Sequence, residues 1–202
     1  GGITNARWEN LCNSDGFWTM VDTSDPDAVY CEGQGGYILR VDHRTMTSRD
    51  IQPKAGYHEK LRFNWNSPIA SSPTQKGVLY IGAQFLFRSR DRGETWQRIS
   101  PDLTTNDPQK QKQEQSGGVT VDNSSAEMHT TIYSIAESPR SANVIWVGTD
   151  DGNVQLSQNG GGTWTELRGD LYVSALALDP RSPQTLFAGM QEGLIRSDDA
   201  GA

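Results

Sequence analysis

The chain has 202 residues and a formal charge of −7, with 18 Lys and Arg against 25 Asp and Glu and no basic cluster. This excludes nucleic acid as a partner, because phosphates demand a basic footprint. No apolar run approaches the ~20 residues of a membrane-spanning helix. With 21 Gly, 9 Pro and many short β-branched or aromatic runs in place of Ala-Glu-Lys-Leu periodicity, the composition predicts an all-β protein.

From the N-terminus, "RWENL" at Arg7 to Leu11 sets a Trp three residues before an aliphatic, the spacing of an outer strand, and residues 1–14 are assigned to it. Cys12 and Cys31 are the only cysteines. In a secreted chain they either pair or remain two small buried thiols, and spacing leaves both readings open.

Four related segments follow: "DPDAVYCEGQGGYILRVD" from Asp25, "SPTQKGVLYIGAQFLFRSRD" from Ser72, "SPRSANVIWVGTDDGNVQLSQN" from Ser138 and "DPRSPQTLFAGMQEGLIRSDD" from Asp179. Each has a Pro turn, an apolar strand ending at Gly33, Gly82, Gly148 or Gly189, a tight polar turn and a second strand. A strand-like run precedes each one: "FWTMVD" from Phe17, "PIASS" from Pro68, "TIYSIAES" from Thr131 and "YVSALALD" from Tyr172. Two are followed by a fourth strand, "TWQRI" from Thr95 and "TWTEL" from Thr163.

A four-stranded meander of about 40 residues is the unit of a β-propeller blade. The expected divisions are blade 1 at 15–61, blade 2 at 62–125, blade 3 at 126–169 and blade 4 at 170–202, the last without its fourth strand. Residues 104–125, rich in Gln, Lys, Asp and Ser, read as a solvated insertion in blade 2, with a partner-binding loop as the alternative. The outer strand at 1–14 is complementary to the strand that blade 4 lacks. Either it closes four blades into a ring, or the chain is a section of a larger propeller, or copies associate through their end strands.

The string "SRDRGETW" at 89–96 returns as "SQNGGGTW" at 157–164 and begins again as "SDDAGA" at Ser197. Its short polar side chains hydrogen-bond their own turn, Gly supplies positive φ, and Trp anchors the next strand. It presents too few oxygens for calcium. Ser89, Asp91, Gly93, Thr95 and Trp96, then Ser157, Asn159, Gly161, Thr163 and Trp164, then Ser197, Asp199 and Gly201, resemble the Asp-box or bacterial neuraminidase repeat. That repeat occurs in sialidases, sortilin-type receptors, xyloglucanases and photosystem assembly factors, so the resemblance implies a propeller and leaves function open. Over residues 8–168 the chain is similar to secreted bacterial sortilin-like or glycosyl-hydrolase-like propellers, and from Val173 to the assembly-factor branch. The resemblance implies a secreted or periplasmic location. The first blade has "VDHRTMTSRD" where a box would stand.

First strands line a propeller's channel, so residues leading into them converge on one mouth. The ligand-binding candidates are Trp18, Arg62, Asn64, Trp65, Asn66, Glu127, His129 and Tyr172. Aromatic faces mixed with amides, carboxylates and a guanidinium suit sugars or extended peptides. Glu127 and His129 alternate onto one side as an acid/base candidate pair. A glycosidase needs two carboxylates about 5–10 Å apart, for which Asp15, Glu127 and Asp170 are candidates. The sialidase Arg-Ile-Pro signature and arginine set are missing, His43, His58 and His129 lack metal-ligand spacing, and no phosphate-binding loop occurs, so no metal or cofactor is expected. The favoured function is a non-catalytic module binding a peptide, protein or glycan. A non-sialidase glycoside hydrolase, or part of one, and a self-assembling propeller module are the alternatives.

Overall fold

A computed structural model describes residues 9–54, 58–115, 119–121, 124–126, 128–169, 171–182 and 184–198. Blade 1 consists of β1 (Thr19–Asp22), β2 (Asp25–Glu32), β3 (Ile38–Asp42) and β4 (Thr47–Asp50). Blade 2 has β5 (Ile69–Ser71), β6 (Leu79–Gly82), β7 (Leu86–Ser89) and β8 (Gln97–Arg98). Blade 3 has β9 (Ile132–Ser138), β10 (Ser141–Thr149), β11 (Val154–Ser157) and β12 (Thr165–Arg168). Blade 4 has β13 (Val173–Leu178), β14 (Leu186–Met190) and β15 (Gly193–Ser197). Each sheet is an antiparallel meander in chain order, three of four strands and one of three. This is a run of β-propeller blades. Among the described residues no helix is long and apolar enough to cross a membrane.

The apolar side chains lie mainly between blades. Tyr30, Ile38 and Ile51 of blade 1 pack with Ile69, Ile81 and Phe87 of blade 2. Tyr80, Leu86 and Ile99 of blade 2 pack with Ile132, Ile145 and Val147 of blade 3. Trp146, Val154 and Leu156 of blade 3 pack with Val173, Leu186 and Ala188 of blade 4. Strand alternation produces this arrangement, since each blade buries one face forward and one backward.

The repeated turn joins blades as well as strands. In blade 2, Gly93 N–H donates to Ser89 Oγ at 2.7 Å, and Thr95 donates from N (2.8 Å) and Oγ1 (2.6 Å) to the Asp91 carboxylate. In blade 3, Gly161 N–H donates to Ser157 Oγ at 2.8 Å and Thr163 N–H to Asn159 Oδ1 at 2.8 Å. The Trp that follows then reaches the preceding blade. Trp96 Nε1 donates to Ile51 O at 2.6 Å and Trp164 Nε1 to Ile99 O at 3.0 Å. Gly161 has φ +93°, and a Cβ there would lie 2.7 Å from Ile99 O. Asp199 and Gly201 of the third copy lie outside the described residues. In blade 1, Asp42 Oδ1 instead accepts Arg44 N–H at 2.9 Å and Thr45 N–H at 3.2 Å, a tight turn without the Trp.

Cys12 and Cys31 form a disulfide with Cα atoms 6.2 Å apart. Residues 1–8 of the expected outer strand lie outside the described residues, and Glu9, Asn10 and Leu11 belong to no strand. Leu11 and Cys12 pack on Cys31, Leu39 and Val41, on the face of blade 1 away from blade 2. The 104–125 insertion is anchored at its start. Thr105 donates from N (2.8 Å) and Oγ1 (2.7 Å) to Asp151 Oδ2, because a polar segment can be fixed by directed bonds without an apolar core.

Replacing Gly161 with Ala is expected to destabilise the chain by at least about 2 kcal/mol, since it combines left-handed strain with a backbone clash. Gly16→Ala, where an added Cβ meets nothing within 4 Å, is expected to stay within about 0.5 kcal/mol. Denaturant unfolding midpoints of the two variants check this.

Candidate functional site at one end of the blades

A meander places the segments that lead into the first strands at the same end as the turns between second and third strands. The repeated Trp turns, between third and fourth strands, fall at the opposite end. The candidate residues therefore sit at the end away from the boxed turns.

Strand register changes one alignment. Gly82 pairs with Leu86, Gly148 with Val154 and Gly189 with Leu194, and the residue of blade 1 in that position, paired with Ile38, is Glu32 rather than Gly33. At Gly82 a Cβ would lie 2.6 Å from Ile132, and at Gly148 2.6 Å from Ser134 Oγ and 3.0 Å from Val173, because the next blade's first strand passes there. Blade 1 places a carboxyl at this crossing. Glu32 is 1% exposed, and its Oε1 accepts Ser67 N–H at 3.1 Å. Its Oε2 and the neighbouring Asn66 Oδ1 have no hydrogen-bond partner among the described residues. Burial pushes the Glu32 carboxyl up to about 8, with the Ser67, Gly36 and Trp18 N–H groups pulling the other way. The protonated form is therefore favoured at pH 7.

From Ser67 a polar chain crosses to blade 3. Ser67 Oγ donates to Asn64 O at 2.9 Å, and Asn64 Nδ2 donates to Thr131 Oγ1 and to Asp150 Oδ2, both at 3.0 Å. Asp150 also accepts Thr131 N–H at 2.8 Å and Thr131 Oγ1 at 2.6 Å. His129 Nδ1 lies 2.9 Å from Asp150 Oδ1. That hydrogen bond raises the His129 pKa, with burial opposing it. An oriented imidazole results, its Nδ1 committed to Asp150. Thr130, next to it, is buried with φ +58°, an unusual conformation for a β-branched residue. Its carbonyl is held by Arg62 Nε at 3.1 Å.

The other candidates divide into two kinds. Arg62 is largely spent inside, with Nη2 2.8 Å from Asp102 Oδ2. Trp65 meets Phe17 edge to face at 6.2 Å, which brings the lead-in segments of blades 1 and 2 together. Trp18 and Tyr172 are exposed. Asp15 accepts a hydrogen bond from Gln34 Nε2 at 2.9 Å. Glu127 and Asp170 lie outside the described residues, so the proposed Glu127–His129 pair and the three-carboxylate set are not formed by described atoms; the partner found for His129 is Asp150. Sequence reasoning passed over Glu32 and Asp150. The signal for Glu32 was a carboxylate in an otherwise apolar strand end, "VYCEG", and for Asp150 the acidic turn "TDDGN". A cleft of about 340 Å³ adjoins this end, lined in part by Pro53, Lys54, Leu61, Phe63 and Met128. Among the described residues no three His, Cys, Asp or Glu side chains group as a metal site.

No family model matches the sequence, and no curated protein does. Solved structures show the same fold. A GH74 enzyme from Niastella koreensis is 18% identical with a TM-score of 0.59, over 91% of this chain and 29% of its own. An ancestral GH74 enzyme is 18% identical with a TM-score of 0.55, over 96% of this chain and 24% of its own. An auxiliary nutrient binding protein from Bacteroides thetaiotaomicron is 12% identical with a TM-score of 0.53, over 91% of this chain and 39% of its own. The chain thus spans about a quarter of the GH74 chains it resembles. At these identities the likeness concerns fold alone.

Two titrations follow from the site. Between about pH 4.5 and pH 8 native Glu32 holds a proton that the unfolded chain releases, so its contribution to stability falls as pH rises and levels off above that window. Glu32→Gln is expected to flatten that part of the pH profile of the unfolding midpoint. Asp150→Asn is expected to bring the His129 titration, followed by NMR, down toward its ordinary value of 6.5.

Proposed function

We propose that this chain is a ligand-binding section of a secreted β-propeller, taking a glycan at the lead-in end of the blades, which carries Trp18, Trp65, Asn64, His129 and Tyr172. The supporting observation is the combination of exposed aromatic faces with a polar network that runs from Glu32 through Ser67 and Asn64 to Asp150 and His129. Sugar rings stack their C–H faces on aromatic planes while fixed amides and imidazoles select hydroxyl directions. A network locked before the ligand arrives lowers the ordering cost of binding. The Cys12–Cys31 disulfide supports an oxidising, extracytoplasmic location. The boxed-turn resemblance and the GH74 and nutrient-binding fold neighbours agree with such a role by analogy.

One observation favours a second reading, a glycoside hydrolase. Glu32 favours its protonated form at neutral pH, as a general acid must. Its near-complete burial favours the binding reading, because a general acid must touch the glycosidic oxygen.

Calorimetric titration with cello-, xylo- and manno-oligosaccharides, alongside a reducing-end assay, separates the two. The binding reading expects affinity for at least one series without hydrolysis, and about tenfold weaker binding in Trp18→Ala, the loss of one stacking contact. Binding to none of the series, or unchanged binding in Trp18→Ala, overturns it. Hydrolysis abolished by Glu32→Gln would instead establish the enzyme.

A further inference from the structure

We infer that the face of blade 4 turned away from blade 3 is a docking surface for a further propeller blade that carries a boxed Ser-x-Asp/Asn-x-Gly-x-Thr-Trp turn. The argument comes from register within this chain. The residue opposite the crossing position (Glu32, Gly82, Gly148 and Gly189) is Ile38 in blade 1, Leu86 in blade 2, Val154 in blade 3 and Leu194 in blade 4. The first three are 1%, 0% and 5% exposed, each covered by the blade that follows, whereas Leu194 is 70% exposed. Tyr30, Tyr80 and Trp146 are likewise buried against the next blade, and their counterpart Phe187 is only half-buried. Gly189 stands where Gly82 and Gly148 admit the next blade's first strand. At Gly189 the nearest atom to an added Cβ is Ala175 Cβ of its own sheet, at 3.6 Å. Among the described residues no atom of another blade comes within 4 Å of it.

The boxed turn is specified by an arginine. Arg40 pairs with Tyr30, and its Nη1 donates to Arg92 O at 3.0 Å, the carbonyl just before the box Gly93 of the next blade. Arg88 pairs with Tyr80, and its Nη1 donates to Gly160 O at 3.1 Å, just before Gly161. Blade 3 has Leu156 in this position and blade 4 has Arg196, paired with Phe187. The Arg196 side chain is 60% exposed and reaches back to its own strand end, with Nη2 2.7 Å from Asp198 Oδ1. Its guanidinium has donors to spare for a carbonyl.

A second copy of this chain does not fit the description. Its boxed turns in blades 2 and 3 are already seated on Ile51 and Ile99, its blade 1 turn carries no Trp, and the back of blade 1 is covered by Leu11 and Cys12. The partner is therefore a different boxed blade.

The test extends the full chain after Ala202 in two ways. A short extension repeats residues 95–125 and supplies a fourth strand; a long one repeats 95–169 and adds a boxed blade. In the long form, amide exchange at Leu194 and Arg196 is expected to slow at least about tenfold beyond the short form, and Leu194→Asp is expected to cancel the difference. Equal exchange in the two forms overturns the inference, as does an added blade that gains no protection of its own, because the face would then have failed to seat it. A dimer of the unextended chain in light scattering, dispersed by Leu194→Asp, also overturns it by giving the face to a second copy.

Discussion

The interaction on which the rest of this structure depends is the close crossing between one blade's first strand or boxed turn and the blade before it. At Gly82 the following blade comes nearer than a side chain permits and at Gly148 it leaves little room, and at Gly93 and Gly161 the boxed turn sits against Ile51 and Ile99. These contacts remove the apolar second strands from water, and an isolated meander could not bury them. Hydrogen bonds from Trp96 and Trp164 to the carbonyls of those same isoleucines fix the angle at which successive sheets meet. The stability of any one blade therefore belongs partly to its neighbour.

The boxed turns are seated at one end of each blade, and the first-strand crossings lie at the other, beside the strand lead-ins. The strand lead-ins there hold polar residues that the repeat does not require. Glu32 is the clearest departure: a carboxyl stands at a crossing where the other blades have glycine, and burial favours its protonated form at neutral pH. Proteins that keep a local rule in three repeats and break it in the fourth usually do so where function is located. The Asp150–His129 pair, braced by Asn64 from the adjacent blade, joins the same end into one network.

The fold was largely legible because its signals are local. Alternating apolar runs, Pro and Gly turns, and the recurrence of Ser-x-Asp-x-Gly-x-Thr-Trp all act within a few residues of each other, and the strands formed close to where those patterns placed them. The site was legible in part. Trp18, Trp65, Asn64, His129 and Tyr172 do stand just before first strands, as their spacing indicates, while the partners of Arg62, Asp102 and the Thr130 carbonyl, were not legible. A side chain's partner 40 or 68 residues away leaves no trace in local spacing.

What the sequence determined by itself was the repeating unit, its four-stranded meander and the chemistry of the boxed turn, since these rest on backbone preferences and short-range hydrogen bonds. Tertiary structure alone decided the pairing of Cys12 with Cys31, the burial and protonation of Glu32, the choice of Asp150 as partner to His129, and the exposure of Leu194. Each of these depends on which blade lies against which. Desolvation and hydrogen-bond geometry are properties of that juxtaposition and are absent from the order of residues along the chain.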